Sequence, residues 1–189
     1  MRSPGSSTAR GGHPVRHRRG SRRRATGSFR RRFLTGGLLF DVVDGAEGDD
    51  ASVRPNALLA VSLPHAPLRE RTVVEGCQRD LLTPLGLRSL APSHPAYIGR
   101  HRGDPPTRDG AYHQGTVWPW LIGPYVEAAQ KTGTSVDGAL EPLERHILEW
   151  GIGSVSETAD GDAPHDATGC PFQAWSVAEL LRARRLLAR

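Results

Sequence analysis

Lysine is almost absent from this sequence: one residue in 189, against twenty-four arginines. There is one methionine and only two cysteines. Cys77 and Cys170 lie far apart with no metal-ligand spacing, which argues against a disulfide-built scaffold or a zinc ribbon and favours a reduced, cytoplasmic chain. No apolar run approaches the roughly 20 residues of a membrane span, and no secretory apolar region opens the chain, so no membrane partner is expected. Acidic residues are missing from positions 1–33, which hold eleven arginines. The rest of the chain carries fourteen basic and twenty acidic residues, so the basic balance belongs to the leader and the body is mildly acidic. An arginine run neutralises phosphate, but no aromatic residue interleaves it before Phe29. Nucleic acid is therefore a disfavoured partner, and residues 1–28 read as a disordered arginine-rich leader. A transit peptide fits less well, because the segment has almost no apolar face.

Period-two alternation is also lacking, so no strand is expected. Helical periodicity appears five times, over residues 54–63, 69–82, 117–131, 136–150 and 173–187. Residues 69–82 place Val73, Val74, Cys77 and Leu81 on one face and stop at Pro84-Leu-Gly86. Pro119 is tolerable in the first turn of the third segment, while Pro124 weakens or kinks it. Two connections are short, 64–68 and 132–135. Three are long: 36–53, 84–116 and 151–172. Helices joined by short loops run antiparallel, which puts the three long segments at one end of the array. Long segments of this kind usually carry function.

What is present at that end suits a sugar, with apolar C–H faces and many hydroxyls. Tyr112-His-Gln-Gly-Thr-Val-Trp-Pro-Trp120 gathers two indoles, an imidazole and a carboxamide, and Gln173-Ala-Trp-Ser176 repeats that chemistry. Trp118 and Trp120 divide evenly between core residues and a binding platform; Trp150 reads as a helix-end core residue, and His146 as a surface or core histidine. The loop from 153 to 170 offers Glu157, Asp160, Asp162 and Asp166. Two readings stand open for these acids: caps of solvated turns, or a general base acting on water. A metal site with His165 matches no defensible calcium or zinc pattern. Glycoside hydrolysis needs two carboxyl groups, standing roughly 6.5–9.5 Å apart in inverting enzymes. Asp41, Asp44, Asp49 and Asp50 look like turn residues, whereas Asp109 lies close to the aromatic run.

Arg54-Pro-Asn56 with Ser62-Leu-Pro64, Ala111 to Leu121, Ser156-Glu157, Asp160-Gly-Asp162, Pro164-His165, and Gly169-Cys170 with Gln173 to Glu179 together form a specific set. From about residue 29 to 189 the chain resembles the C-terminal part of the amylo-α-1,6-glucosidase domain of glycogen debranching enzymes. The resemblance implies an all-α fold, a partial (α/α)6 toroid amounting to about half of a six-hairpin barrel. It implies inverting hydrolysis of α-1,6 branch points in glycogen or a related branched α-glucan, with no metal or organic cofactor. It points to Glu157 as general base, with Asp160 as competitor. Gln173 and Trp175 would line the pocket, with His113, Gln114, Trp118 and Trp120 opposite and Arg54 and Asn56 completing the wall. The family's general acid lies near a Trp-Met-Asp type motif, which is absent here. The chain is thus expected to be an N-terminally truncated piece, inactive alone and prone to associate with a missing N-terminal half. Another inverting glycosidase of glucoamylase or trehalase type, or a non-catalytic carbohydrate-binding module, are the alternatives.

Overall fold

A computed structural model describes residues 16–188. The first helix, α1, spans Arg16–Phe33. Its last turn docks: Phe29 and Phe33 stack with ring centroids 4.6 Å apart and pack on the core. Arg30 pairs with Glu70 and Arg32 with Asp44. The stretch 16–28 of the expected disordered leader is helical; residues 1–15 of that leader lie outside the described residues.

Two small hairpins follow. Leu34–Thr35 (β1) pairs antiparallel with Leu38–Leu39 (β2), and Val42–Gly45 (β3) with Gly48–Asp50 (β4). Helix α2, Asn56–Ser62, buries Leu58 and Val61, and α3, Arg71–Leu81, buries Val73, Val74, Cys77 and Leu81. Then come Leu82–Thr83 (β5), Gly86–Arg88 (β6), the short helix α4, Pro105–Ala111, and Val117–Trp118 (β7). Asp104 caps α4 by accepting a hydrogen bond from the Thr107 amide at 3.0 Å, with Pro105 preset in the first turn. A 3-10 turn over Pro119–Leu121 leads into α5, Ile122–Thr132. The last elements are α6, Glu141–His146, the strands Thr158–Ala159 (β8) and Ala167–Thr168 (β9), and α7, Ala174–Leu187.

The expectation of an all-α, partial (α/α)6 toroid is corrected by this structure. Strands β5-β6-β7-β8-β9 form a five-stranded antiparallel sheet, and the fold is mixed, with 43% of the described residues helical and 13% in strands. The strands escaped notice for a physical reason. None exceeds four residues, and alternation needs at least four to register. Beyond the tight β5–β6 hairpin they pair across separated parts of the chain, Leu87 with Trp118, Val117 with Ala159 and Thr158 with Thr168, so little in the local pattern announces the sheet.

The five expected helices are present with shifted bounds. Pro124 falls in the first turn of α5, where its missing N–H costs nothing. The fourth helix shrinks to Glu141–His146, preceded by a turn at 137–140 and led by Pro142. One core unites them: Leu58 and Val61, Val73 and Cys77, Ile122, Tyr125 and Val126, Leu143, and Leu180 with Ala183 are all buried. Burying a side chain of this class contributes about 1.5–3 kcal/mol. The helical layer is thus a fixed base for the segments between the helices.

Those segments meet. The Ala91 amide donates to the Val53 carbonyl at 3.1 Å, tying the first long segment to the second. Arg88 Nε donates to the Gly161 carbonyl at 2.8 Å, and the Asp162 amide to the Gly99 carbonyl at 3.0 Å, tying the second to the third.

Candidate active site

The turn from α4 into β7 places the aromatic run. Gly115 has φ 141°, and a Cβ there would lie 2.5 Å from the Ile98 carbonyl and 2.7 Å from the Tyr97 ring. Only glycine fits this close approach. The turn is fixed by the Gly115 amide donating to Ser89 Oγ at 2.9 Å and by Trp118 Nε1 donating to the Tyr112 carbonyl at 3.1 Å. The 3-10 turn after Trp118 then brings Trp120 beside the start of α7. Trp120 and Trp175 stack with centroids 4.0 Å apart at 16°. A ring pair this close admits nothing between its members, so only their outer faces are open to a ligand. Trp175 remains 53% exposed, and that exposure gives it a usable face. His113 stacks over Trp118, while Tyr112 meets the same indole edge-on at 4.6 Å.

Arg54 joins this wall from the other side. It donates to the Ser89 and His113 carbonyls at 3.1 and 2.7 Å and to Gln114 Oε1 at 2.9 Å. The result is a hollow of about 510 Å³ lined by Arg54, Asn56, His113, Gln114, Trp118, Trp120 and Trp175, with Asp41, Asp50 and Ser89. Its size and its mix of aromatic faces with a few convergent polar groups are those of a small-ligand site. Seven of the eight binding residues read from the sequence line it. The eighth, Gln173, does not; it precedes α7 with its amide donating to the Val155 carbonyl at 3.0 Å.

The two candidate catalytic carboxylates part company. Glu157 lies outside the aromatic hollow, in a neighbouring one of about 670 Å³ with His101, Arg102, Arg108, Trp150 and Cys170. Its Oε1 accepts from the Tyr112 hydroxyl at 2.8 Å, and its Oε2 from the Cys170 amide at 2.9 Å. Tyr112 therefore connects a lining residue of each hollow, Glu157 through its hydroxyl and Trp118 through its ring. Burial, together with the hydrogen bond to the Glu157 carboxylate, pushes the Tyr112 phenol up to about 12, so it acts as a donor at neutral pH. Asp160 is fully buried. It accepts from the His101 amide at 2.8 Å, from Arg100 at 3.2 Å and from Arg102 at 2.9 Å. Its oxygens are spent on holding the 100–102 segment, and no face of it is open to a water or a sugar.

The remaining acids and thiols are placed plainly. Asp162 accepts from the Tyr97 hydroxyl at 3.0 Å, and Asp166 pairs with Arg102. His165 Nδ1 faces the Asp160 carbonyl at 3.0 Å. Among the described residues no three His, Cys, Asp or Glu side chains group closely enough to hold a metal ion. Asp109 is exposed on α4, near enough to act electrostatically on Tyr112 and His101. Cys77 is buried and Cys170 exposed, both as free thiols, and burial pushes the Cys77 thiol up to about 12. His146, read as an isolated helix histidine, is buried with Nε2 3.1 Å from the buried Ser156 hydroxyl. No described helix is long and apolar enough to cross a membrane.

Sequence reasoning missed Asp41 and Asp50 as lining residues. Asp50 does serve a turn, since Oδ1 accepts from both the amide and the hydroxyl of Ser52. Asp41 serves none through its side chain: Oδ1 accepts from Asn56 Nδ2 at 2.9 Å, and Oδ2 is 3.6 Å from Arg54 Nε. Only the tertiary pairing with residues 54 and 56 reveals it. The aromatic wall, the arginine that stitches it and the late acidic loop are thus built from segments whose match to one family is continuous: residues 16–182 fit the amylo-alpha-1,6-glucosidase family model, and the chain belongs to that family, a glycoside hydrolase domain of the glycogen-debranching type.

Proposed function

We propose that the aromatic hollow binds glucosyl units of a branched α-glucan, and that the reaction of this domain is hydrolysis of α-1,6 branch points with inversion. One observation carries the reading: Arg54, Asn56, His113, Gln114, Trp118, Trp120 and Trp175, drawn from three separated parts of the chain, line one hollow. Indole faces match the C–H faces of a pyranose, and the carboxamides match its hydroxyls, with Arg54 holding the wall together. Glu157 is the general base in this reading. Each of its oxygens has one hydrogen bond and keeps a lone pair for a water, whereas Asp160 is enclosed. The Tyr112 hydroxyl orients the carboxylate, and the neighbouring hollow holds the water.

An inverting reaction also needs a carboxylic acid roughly 6.5–9.5 Å from the base. The Trp-Met-Asp type motif that would supply it is not in this sequence. The chain by itself accordingly binds branched glucan without releasing glucose. The test is a pair of measurements on the purified chain: binding to branched limit dextrin, and glucose release from it. Binding without release is expected; glucose release overturns the inactivity, and absence of binding overturns the site. In an active family member with the same Ser-Glu pair, Glu157→Gln is expected to lower kcat by more than about a hundredfold with KM nearly unchanged. If Asp160→Asn does this and Glu157→Gln does not, the base is Asp160.

A further inference from the structure

Asp41 stands where two hollows join. Besides the aromatic hollow it lines a second one of about 390 Å³ with Phe29, Phe33 and Phe40, and Arg54 and Asn56 line both. Its backbone is fixed by its amide donating to the Asp50 carbonyl at 2.7 Å. Its carboxylate is fixed by Asn56 Nδ2 at 2.9 Å and by the Arg54 guanidinium at 3.6 Å. Arg54 does not close on it as a two-pronged pair, because both its terminal nitrogens are spent on Ser89, His113 and Gln114. A carboxylate offers about four lone-pair directions, and Asn56 uses one. The side chain is 15% exposed, so the remaining directions are held in place yet reachable. Asp50, the other acid of the hollow, has one oxygen doubly committed to Ser52. Glu157 and Asp109 do not line it.

We propose that Asp41 is the carboxylate that grips the sugar: it accepts hydrogen bonds from two neighbouring hydroxyls of the glucosyl unit that rests on the tryptophan wall, with Arg54 and Asn56 as its positioning residues. Bonds from a hydroxyl to an ionised acceptor are the stronger kind, and their spacing selects a sugar with adjacent equatorial hydroxyls over an apolar ligand of like size. The assignment rests on the glucan reading above.

The experiment uses the full chain with isomaltose and branched limit dextrin as probes, followed by tryptophan fluorescence and calorimetry. Asp41→Asn is expected to raise Kd about tenfold or more while the melting midpoint stays within about 4 °C of the parent. Ring-deoxy analogues of isomaltose supply the reading that a merely structural role would not move. In the parent, removing either gripped hydroxyl weakens binding; in Asp41→Asn that penalty vanishes. Unchanged affinity in Asp41→Asn overturns the assignment and leaves the glucan reading standing. So does a deoxy penalty that persists in the variant, or a parent indifferent to every deoxy analogue. The analogue series on the parent decides the matter if the variant fails to fold. A parent that binds neither probe overturns the glucan reading and the assignment with it.

Discussion

The Tyr112 hydroxyl donates to Glu157 Oε1 at 2.8 Å, across forty-five positions of sequence. Through this bond the aromatic run at 112–120 and the acidic loop at 153–170 act as one unit. Removing the hydroxyl leaves a part-buried carboxylate oxygen with one acceptor site unfilled. Tyr112→Phe is expected to cost about 1–2 kcal/mol in urea unfolding. A double-mutant cycle with Glu157→Gln should show coupling of about 1 kcal/mol. Additive effects would mean that the bond links nothing.

Gly86 opens β6 just after the β5–β6 turn, at φ 135°, and a Cβ there would come within 2.7 Å of the Trp118 carbonyl and of Pro119 Cα. Both obstacles are backbone, so neither rotates away. Gly86→Ala is expected to destabilise by about 3 kcal/mol or more, strain and overpacking adding. Tryptophan fluorescence should also change, because Trp118 and Trp120 follow from that backbone. A variant with parental stability and emission would contradict the packing described.

Asp160 has no exposed surface and takes hydrogen bonds from the His101 amide and from two arginines. Asp160→Ala leaves the His101 amide without its acceptor. The expected loss is about 2–3 kcal/mol, the outer arginines being half exposed and able to return to water. Thermal melts would read it, and a loss below about 0.5 kcal/mol would show that the cluster holds nothing.

Two histidines set the acid side of the stability profile. Burial holds both His101 and His146 below the usual imidazole value. A group with a depressed folded-state pKa gives its stability above the unfolded value, about 6.5, and loses it as pH falls through the folded one. The melting midpoint is therefore expected to hold at and above pH 7 and to decline as pH falls below about 6.5. Replacing His146 by glutamine should flatten part of that slope. A profile level down to pH 5 would sink the account.

Much of this protein is legible before any folding. Val73, Val74, Cys77 and Leu81 recur at helical spacing and bury one face of α3, because a period of 3.6 depends on neighbours along the chain alone. The grouping of His113, Gln114, Trp118 and Trp120 is equally local, set by a turn that only Gly115 permits. Family membership rests on such runs, and the sequence carries them whole. Three things were decided only in three dimensions. The five-stranded sheet joins strands of two or three residues from 82 to 168; its evidence lies in pairing between distant segments, and the all-α expectation failed there. Glu157 and Asp160, three residues apart, end in opposite surroundings, one beside an open hollow and one enclosed by arginines. Asp41 becomes part of the aromatic hollow only when Arg54 and Asn56 come to face it. Spacing along the chain fixes which residues share a helix face or a turn. Which carboxylate meets water and which meets an arginine depends on the packing of segments that the sequence keeps apart.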